Sequence, residues 1–183
     1  MADRDVLFTG IKLDFPPMVA SGLDSGCGID ETDERGMSPL FLASYMNRGE
    51  IVSMLIERGA NCEFRFQDMT PVMAATEGGA ASALEILLAA GANIDASSCE
   101  GLTSLMIAVR DGNAAVAKLL IAYGANLSLR TQSGSTALDV AQSLGASDMV
   151  AILAPYYNKD YGGFMGQLAR RVCAYREDEP KDE

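Results

Sequence analysis

The chain has 183 residues, of which 49% are hydrophobic, so its length suits one domain with a continuous apolar core. Fourteen Lys and Arg residues against 25 Asp and Glu residues give a net charge of −11. This charge argues against nucleic acid and anionic membrane as partners, because both are themselves negative. The absence of histidine excludes Ser-His-Asp and Cys-His catalysis and zinc sites that contain histidine.

The cysteines are widely spaced and form no Cys-x-x-Cys pair; they are Cys27, Cys62, Cys99 and Cys173. This usage is typical of a reduced, intracellular compartment, so we expect a cytoplasmic or nuclear protein without cofactor or metal. No apolar run reaches the roughly 20 residues of a membrane-spanning helix. The first residues, MADRDVLF, lack the basic stretch and apolar core of a signal peptide.

Residues 5–33 are predicted to form a degenerate opening unit that caps one end of the core. Its apolar residues begin at helical spacing, with Val6, Leu7 and Ile11. Pro16-Pro17 suits the first turn of a second short helix. A disordered leader is the alternative, and the apolar spacing argues against it.

A unit of 32 or 33 residues recurs through the following sequence, most clearly at 101–126. In each copy an N-cap residue precedes a first helix with an inward alanine, and glycine ends the second helix of the more regular copies. The N-cap residues are Ser38, Thr70, Thr103 and Thr136, and the alanines are Ala43, Ala75, Ala108 and Ala141. The resulting array covers residues 1–155, with repeats at about 34–66, 67–98, 99–131 and 132–155.

The predicted helices have about 8–10 residues, fewer than the roughly 12–15 that an isolated helix needs in water. Stacking of neighbouring units must therefore supply their stability, as in a one-dimensional array. The second repeat has Asp68 where the others have glycine, and the loop before it is one residue shorter. We expect an altered turn within residues 63–69.

Pro155 is predicted to end the fourth repeat. Residues 156–163 are interpreted as a loop, 164–176 as a helix and 177–183 as an acidic tail. The predicted helix has one apolar face, formed by Phe164, Leu168, Val172 and Tyr175. We expect it to cap the last repeat, and the alternative is a docking helix for a partner.

The openings of the four repeats are GMSPLFLA, DMTPVMAA, GLTSLMIA and GSTALDVA. With the Gly-Ala-Asn that follows the second helix, they resemble the T-P-L-H-x-A signature of ankyrin repeats over about residues 14–154. The resemblance implies an all-α solenoid of stacked helix pairs with β-turn fingers, a degenerate N-terminal cap and a C-terminal capping helix. The signature histidine is replaced by Phe41, Met73, Met106 and Asp139, where we expect apolar packing.

The resemblance also implies a non-catalytic adaptor or inhibitor, monomeric when free, that binds another protein on a concave face of fingers and inner helices. The candidate binding residues on this face are Arg35, Met37, Tyr45, Met46, Phe66, Gln67, Met69, Glu77, Glu100, Leu102, Arg110 and Asp111. Their apolar members concentrate in the first two repeats, where we place the anchor of the interaction. In the alternative interpretation, Phe64 and Phe66 fold under the shortened loop and only pack.

Two other functions are weighed against this interpretation. A targeting or assembly subunit would dock through its C-terminal helix at 164–176. An enzyme is much less expected, because the acidic residues at 30–34 lack calcium-loop spacing and are interpreted as a solvated charge run. The asparagines of the Gly-Ala-Asn triplets, Asn61, Asn93 and Asn126, are interpreted as turn residues rather than as hydroxylation sites.

Overall fold

Helix pairs stack side by side along the part of the chain that the computed structural model describes, residues 3–157. The helices are α1 (Asp3–Leu13), α2 (Pro16–Asp24), α3 (Pro39–Tyr45), α4 (Gly49–Glu57), α5 (Pro71–Glu77), α6 (Ala81–Ala89), α7 (Ser104–Arg110), α8 (Ala114–Ala122), α9 (Ala137–Ser143) and α10 (Ser147–Tyr157). Odd-numbered helices contact one another in an inner layer, and even-numbered helices form the outer layer. The all-α solenoid expected from the sequence is confirmed. None of the described helices has the length and apolarity that crossing a bilayer requires.

The turn within each helix pair contains one residue with positive φ. These residues are Asp14 (55°), Asn47 (57°), Gly79 (64°), Gly112 (70°) and Gly145 (65°). Aspartate and asparagine tolerate this left-handed conformation better than most residues with a side chain, because their short polar groups bond locally. The α1–α2 pair therefore turns in the same way as the later pairs, as a stacked unit should.

The four predicted N-caps are confirmed. Each hydroxyl oxygen accepts a hydrogen bond from the backbone N–H three residues later: Ser38 from Phe41 (3.2 Å), Thr70 from Met73 (3.4 Å), Thr103 from Met106 (3.4 Å) and Thr136 from Asp139 (3.3 Å). These bonds begin the four inner helices of the repeats, α3, α5, α7 and α9, at a fixed point, although each of the four has only seven residues.

The position of the signature histidine is apolar and buried in three repeats. Phe41, Met73 and Met106 have exposed fractions of 5%, 1% and 1%, as expected. The expectation of apolar packing is wrong at Asp139, which is exposed. Its carboxylate accepts from the backbone N–H of Thr136 at 2.8 Å and completes a capping box, so the residue acts at the helix terminus instead of in the core.

Two glycines set the close contact between α1 and α2. A Cβ on Gly22 would lie 3.0 Å from the Cα of Leu7, and one on Gly10 would lie 2.9 Å from the backbone nitrogen of Val19. Glycine lowers the helix propensity of α1 and α2, but at these two positions it allows the helices to pack closely. Leu7 and Val19 are fully buried at this contact.

The end of the fourth repeat differs from the prediction. Helix α10 includes Pro155 and continues to Tyr157, so the loop predicted from residue 156 is wrong at its first two positions. Tyr157 packs against the core, and its hydroxyl donates to the carbonyl of Leu127 in the third repeat. This anchor holds the last turn despite the proline. The remaining predictions, a loop to 163, a helix at 164–176 and a tail at 177–183, lie outside the described residues.

Replacement of Gly22 by alanine is expected to lower the free energy of unfolding by about 1–2 kcal/mol. The new methyl group would collide with the α1 backbone, and overpacking outweighs the better helix propensity of alanine. Ser21→Ala, at an exposed position of the same helix, is the matched control and should be neutral or slightly stabilising. Urea unfolding followed by circular dichroism measures both, and a Gly22→Ala variant as stable as the control would contradict the packing role.

Substitution of Ser104 by proline is expected to raise the free energy of unfolding by about 1 kcal/mol. Ser104 is buried with no hydrogen-bond partner for its hydroxyl, at the first position of α7, where α3 and α5 have Pro39 and Pro71. Proline removes the unsatisfied group and fits a position whose N–H has no partner within the helix. In the same unfolding measurement, Ser104→Ala should give part of the gain, and destabilisation by both variants would refute this explanation.

Candidate functional site

Four fingers connect the outer helix of one pair to the inner helix of the next. Finger 1 (33–37), finger 3 (98–102) and finger 4 (131–135) are each closed by a backbone bond across the ends of the range, with N···O distances of 3.0, 2.9 and 2.9 Å. Their turns use Gly36, Gly101 and Gly134 at positive φ. The fingers and the inner helices together form the face on which the sequence placed the candidate binding residues.

Finger 2 (66–69) has a different turn, which confirms the alteration expected from the shorter loop. Phe66 and Met69 exchange two backbone hydrogen bonds of 3.0 and 2.9 Å, so only two residues form the loop. Those two residues, Gln67 and Asp68, have φ values of 47° and 65°. Two consecutive positive φ angles are typical of a type I′ hairpin turn, which compensates for the missing residue at some cost in backbone strain.

Polar contacts hold this strained finger and connect it to its neighbour. Arg65 Nη1 lies 3.0 Å from the Asp68 carboxylate and donates to the carbonyl of Ser97 at 3.1 Å. The carboxylate of Asp68 also accepts from the backbone N–H of Cys99 in finger 3. That hydrogen bond is the main reason why the pKa of Asp68 is lowered, and the Arg65 guanidinium contributes further.

Finger 3 is connected to finger 4 in a similar way. The side-chain amide of Gln132 donates to the carbonyl of Cys99 at 2.5 Å, and its backbone N–H donates to the carbonyl of Glu100 at 2.9 Å. Fingers 2, 3 and 4 are therefore cross-linked into one band. On its other side, finger 2 has an apolar contact: the ring of Phe66 packs edge-on against Phe41 of α3, with centroids 5.2 Å apart. A Cβ on Gly36 of finger 1 would lie 3.8 Å from the same ring.

A second set of bonds joins successive units at the loops after the outer helices. Carboxylates accept from the backbone N–H of each Gly-Ala-Asn asparagine: Asp30 from Asn61 (3.0 Å), Glu63 from Asn93 (2.8 Å) and Asp95 from Asn126 (2.8 Å). Each asparagine side chain in turn accepts from the N–H two residues later, at 2.9 or 3.0 Å, as a turn residue does.

These bonds correct the interpretation of residues 30–34 as a solvated charge run. Three of the acidic side chains there accept backbone hydrogen bonds: Asp30 from Asn61, Glu31 from Gly28 (3.2 Å) and Asp33 from Met37 (2.9 Å). They have a structural role in the loop and at finger 1. Within residues 3–157, no group of three or more Cys, Asp and Glu side chains is arranged to hold a metal ion.

The candidate binding residues divide into two sets by burial. The exposed set is Arg35, Tyr45, Gln67, Glu77, Glu100, Arg110 and Asp111. The half-buried set is Met37, Met46, Phe66, Met69 and Leu102. Among the apolar candidates, therefore, the side chain of Tyr45 is the most open, with an exposed fraction of 46%.

A cavity of about 230 Å³ lies between fingers 2 and 3, above α5 and α7; we call it the central groove. It brings together candidates from two repeats: Gln67, Met69, Glu77, Glu100, Leu102 and Arg110. Its lining does not include Tyr45, Met46 or Phe66. The buried side chains of Met73 and Ile107 also line it, and sequence reasoning did not select them as site residues. For Met73 the sequence did carry a signal, because this residue stands at the position of the signature histidine.

The charged groups of the central groove are unevenly paired. Arg110 Nε lies 2.8 Å from the Asp111 carboxylate, and Arg110 Nη2 lies 3.8 Å from Glu77. The hydrogen bond to Asp111 is the largest cause of the raised pKa of Arg110. The Glu100 carboxylate, in contrast, forms no ion pair or hydrogen bond with another described residue.

The chain is similar to short parts of two larger proteins. It is 43% identical over 58 residues to the human ankyrin repeat and KH domain-containing protein 1, an alignment that covers 31% of this chain and 2% of that protein. It is 36% identical over 58 residues to ankyrin repeat, SAM and basic leucine zipper domain-containing protein 1 of Chlorocebus aethiops and Papio anubis, covering 32% of this chain and 12% of each relative. The chain therefore spans only a small fraction of the length of these relatives.

The family model described as ankyrin repeats (3 copies) matches residues 11–98 and, in a second overlapping match, residues 73–162. The two matches include every repeat of the stacked array, together with α2 and the C-terminal end of α1. Ankyrin repeats are general protein–protein interaction modules, and their family is generally non-catalytic. From the stacked fold and these matches we conclude that the chain belongs to the ankyrin repeat family.

Proposed function

We propose that this protein binds a partner protein on the surface formed by fingers 2 to 4 and helices α5 and α7, as a non-catalytic adaptor or inhibitor. The observation that supports the proposal is the central groove, where half-buried Met69 and Leu102 lie between exposed polar and charged side chains. An apolar centre within a polar rim is the usual composition of a protein interface.

The bonds between the fingers support the same surface. Asp68 bonds to Cys99, and Gln132 bonds to Cys99 and Glu100, so three fingers are held in a fixed relation before any partner arrives. A surface that is already ordered loses less conformational entropy on binding, and more of the contact energy appears as affinity. This band is the most extensively cross-linked part of the finger face.

The size of the central groove favours a protein over a small molecule as the ligand. Its volume of about 230 Å³ is below the roughly 300–1,000 Å³ of pockets that enclose a drug-sized ligand. A cavity of this size accommodates one or two side chains from an opposing surface. The chain also has no histidine, which is the commonest acid–base residue of enzymes.

We place the centre of the interface between the second and third repeats, and not in the first two as the sequence suggested. Met37, Met46 and Phe66 are half-buried, and the ring of Phe66 is engaged with Phe41, so these apolar side chains present less surface than expected. Exposed Tyr45 extends the proposed surface towards the first repeat. Arg35, in finger 1, lies outside the proposed surface and lines a cavity between α1 and finger 1.

Leu102→Ala is expected to weaken partner binding at least tenfold, because it removes an apolar side chain from the centre of the groove. Leu119→Ala on outer helix α8 is the matched control, since both leucines are half-buried and lose the same atoms. The partner is first recovered by cross-linking to the full chain, and its affinity for each variant is then measured by biolayer interferometry.

The control variant should bind like the unchanged chain and lose a comparable amount of stability. Equal binding by Leu102→Ala and the unchanged chain would contradict the proposed surface. Cross-links that map to residues 164–176 instead of the fingers would favour the alternative, a targeting or assembly subunit that docks through its C-terminal segment.

A further inference from the structure

We infer that the central groove receives a lysine or arginine side chain from a basic, partly apolar segment of the partner, with Glu100 as its counter-charge. The inference rests on the proposed function and adds the chemistry of the partner to it. It depends on the balance of charge in the groove, on the isolation of Glu100 and on the apolar lining.

The lining of the groove is net acidic. Asp68, Glu77 and Glu100 supply three negative charges and Arg110 supplies one positive charge, which leaves −2. Arg110 is already engaged by Asp111 and Glu77 and is therefore not free for an acidic partner. A negatively charged ligand would meet repulsion here, whereas a cation would find an unsatisfied carboxylate.

Glu100 occupies a place that a bound segment would have to cross. It lines the central groove on one side of finger 3 and a second cavity of about 540 Å³ on the other side. The remaining lining of that second cavity is uncharged: Leu102, Thr131, Gln132 and Ser133. The Glu100 carboxylate is therefore the charged group that the two cavities share, and a segment lying over finger 3 passes it.

The depression at the N-terminal end of the array has no excess of acidic residues in its lining. Between α1 and finger 1, a cavity of about 440 Å³ is lined by equal numbers of cationic and acidic residues: Arg4, Lys12 and Arg35 against Asp5, Asp33 and Glu34. A charged segment would gain little net Coulomb energy there. Charge complementarity therefore distinguishes the central groove from this depression.

The apolar lining of the groove suits the stem of a long basic side chain. Met69 and Leu102 are half-buried in the groove, and buried Met73 and Ile107 also line it. Lysine and arginine place their methylene groups on apolar surface and keep the charged end in water or beside a carboxylate. Glu100 is exposed, so we expect the ion pair to be screened by salt and its effect on affinity to be moderate.

The test uses a phage-displayed library of random dodecapeptides selected on the full chain, with the selected peptides then synthesised as probes. The inference predicts peptides enriched in Lys or Arg next to an apolar residue. Glu100→Gln should weaken their binding about fivefold at low ionic strength, and the difference should shrink as salt is added. Glu85→Gln, at an exposed position on outer helix α6, is the matched control and should leave affinity unchanged.

A double-mutant cycle completes the test. Replacement of the basic peptide residue by alanine should cost affinity in the unchanged chain and little in the Glu100→Gln variant. Additive losses would overturn the inference, as would selected peptides without basic residues or a selection that yields no binder. If the selected peptides are non-basic but lose affinity for the Leu102→Ala variant, the inference of a basic side chain paired with Glu100 is overturned while the proposed binding surface stands. Peptides indifferent to both Leu102→Ala and Glu100→Gln would overturn the proposed function as well.

Discussion

The structure depends on the close stacking of each inner helix against the next. The inner helices α3, α5, α7 and α9 have seven residues each, far too few to persist alone, and their inward alanines are fully buried between neighbours. At Gly78 the approach is so close that any side chain would meet the carbonyl of Tyr45. Because each pair is stable only against its neighbours, the same small residues that allow contact also fix the spacing of the fingers.

Because the helices hold this spacing, finger 2 can be one residue shorter than the other fingers without disturbing the stack. The shorter loop forces Gln67 and Asp68 into the left-handed region, and the Arg65 and Cys99 contacts hold them there. The Asp68 carboxylate, which restrains the strained turn through Arg65, also connects finger 2 to finger 3 through Cys99. The irregular repeat thereby becomes one wall of the groove that we propose as the binding site.

Local patterns predicted the units, their N-caps and the altered turn, because a single residue type at a fixed offset determines each of them. Helix α10 continues beyond Pro155, where the sequence predicted its end. The contact of Tyr157 with Leu127, which is distant in sequence, outweighs the tendency of proline to end a helix. The acidic residues that bond the next Gly-Ala-Asn loop recur four residues after Gly26, Gly59 and Gly91, a signal that was present but not used. The packing of Phe66 against Phe41 matches the alternative interpretation of that residue, and the sequence could not decide between the two because the outcome depends on the path of the shortened finger.

Hydrogen–deuterium exchange of the full chain, free and saturated with its partner, tests the central claim most directly. The claim is that one band of fingers and inner helices forms the binding surface. It predicts that protection on binding concentrates at residues 66–69, 98–102 and 131–135, while exchange in outer helices α4, α6 and α8 stays unchanged. Protection confined to the outer helices or to residues 164–176, with the fingers exchanging as in the free chain, would contradict it.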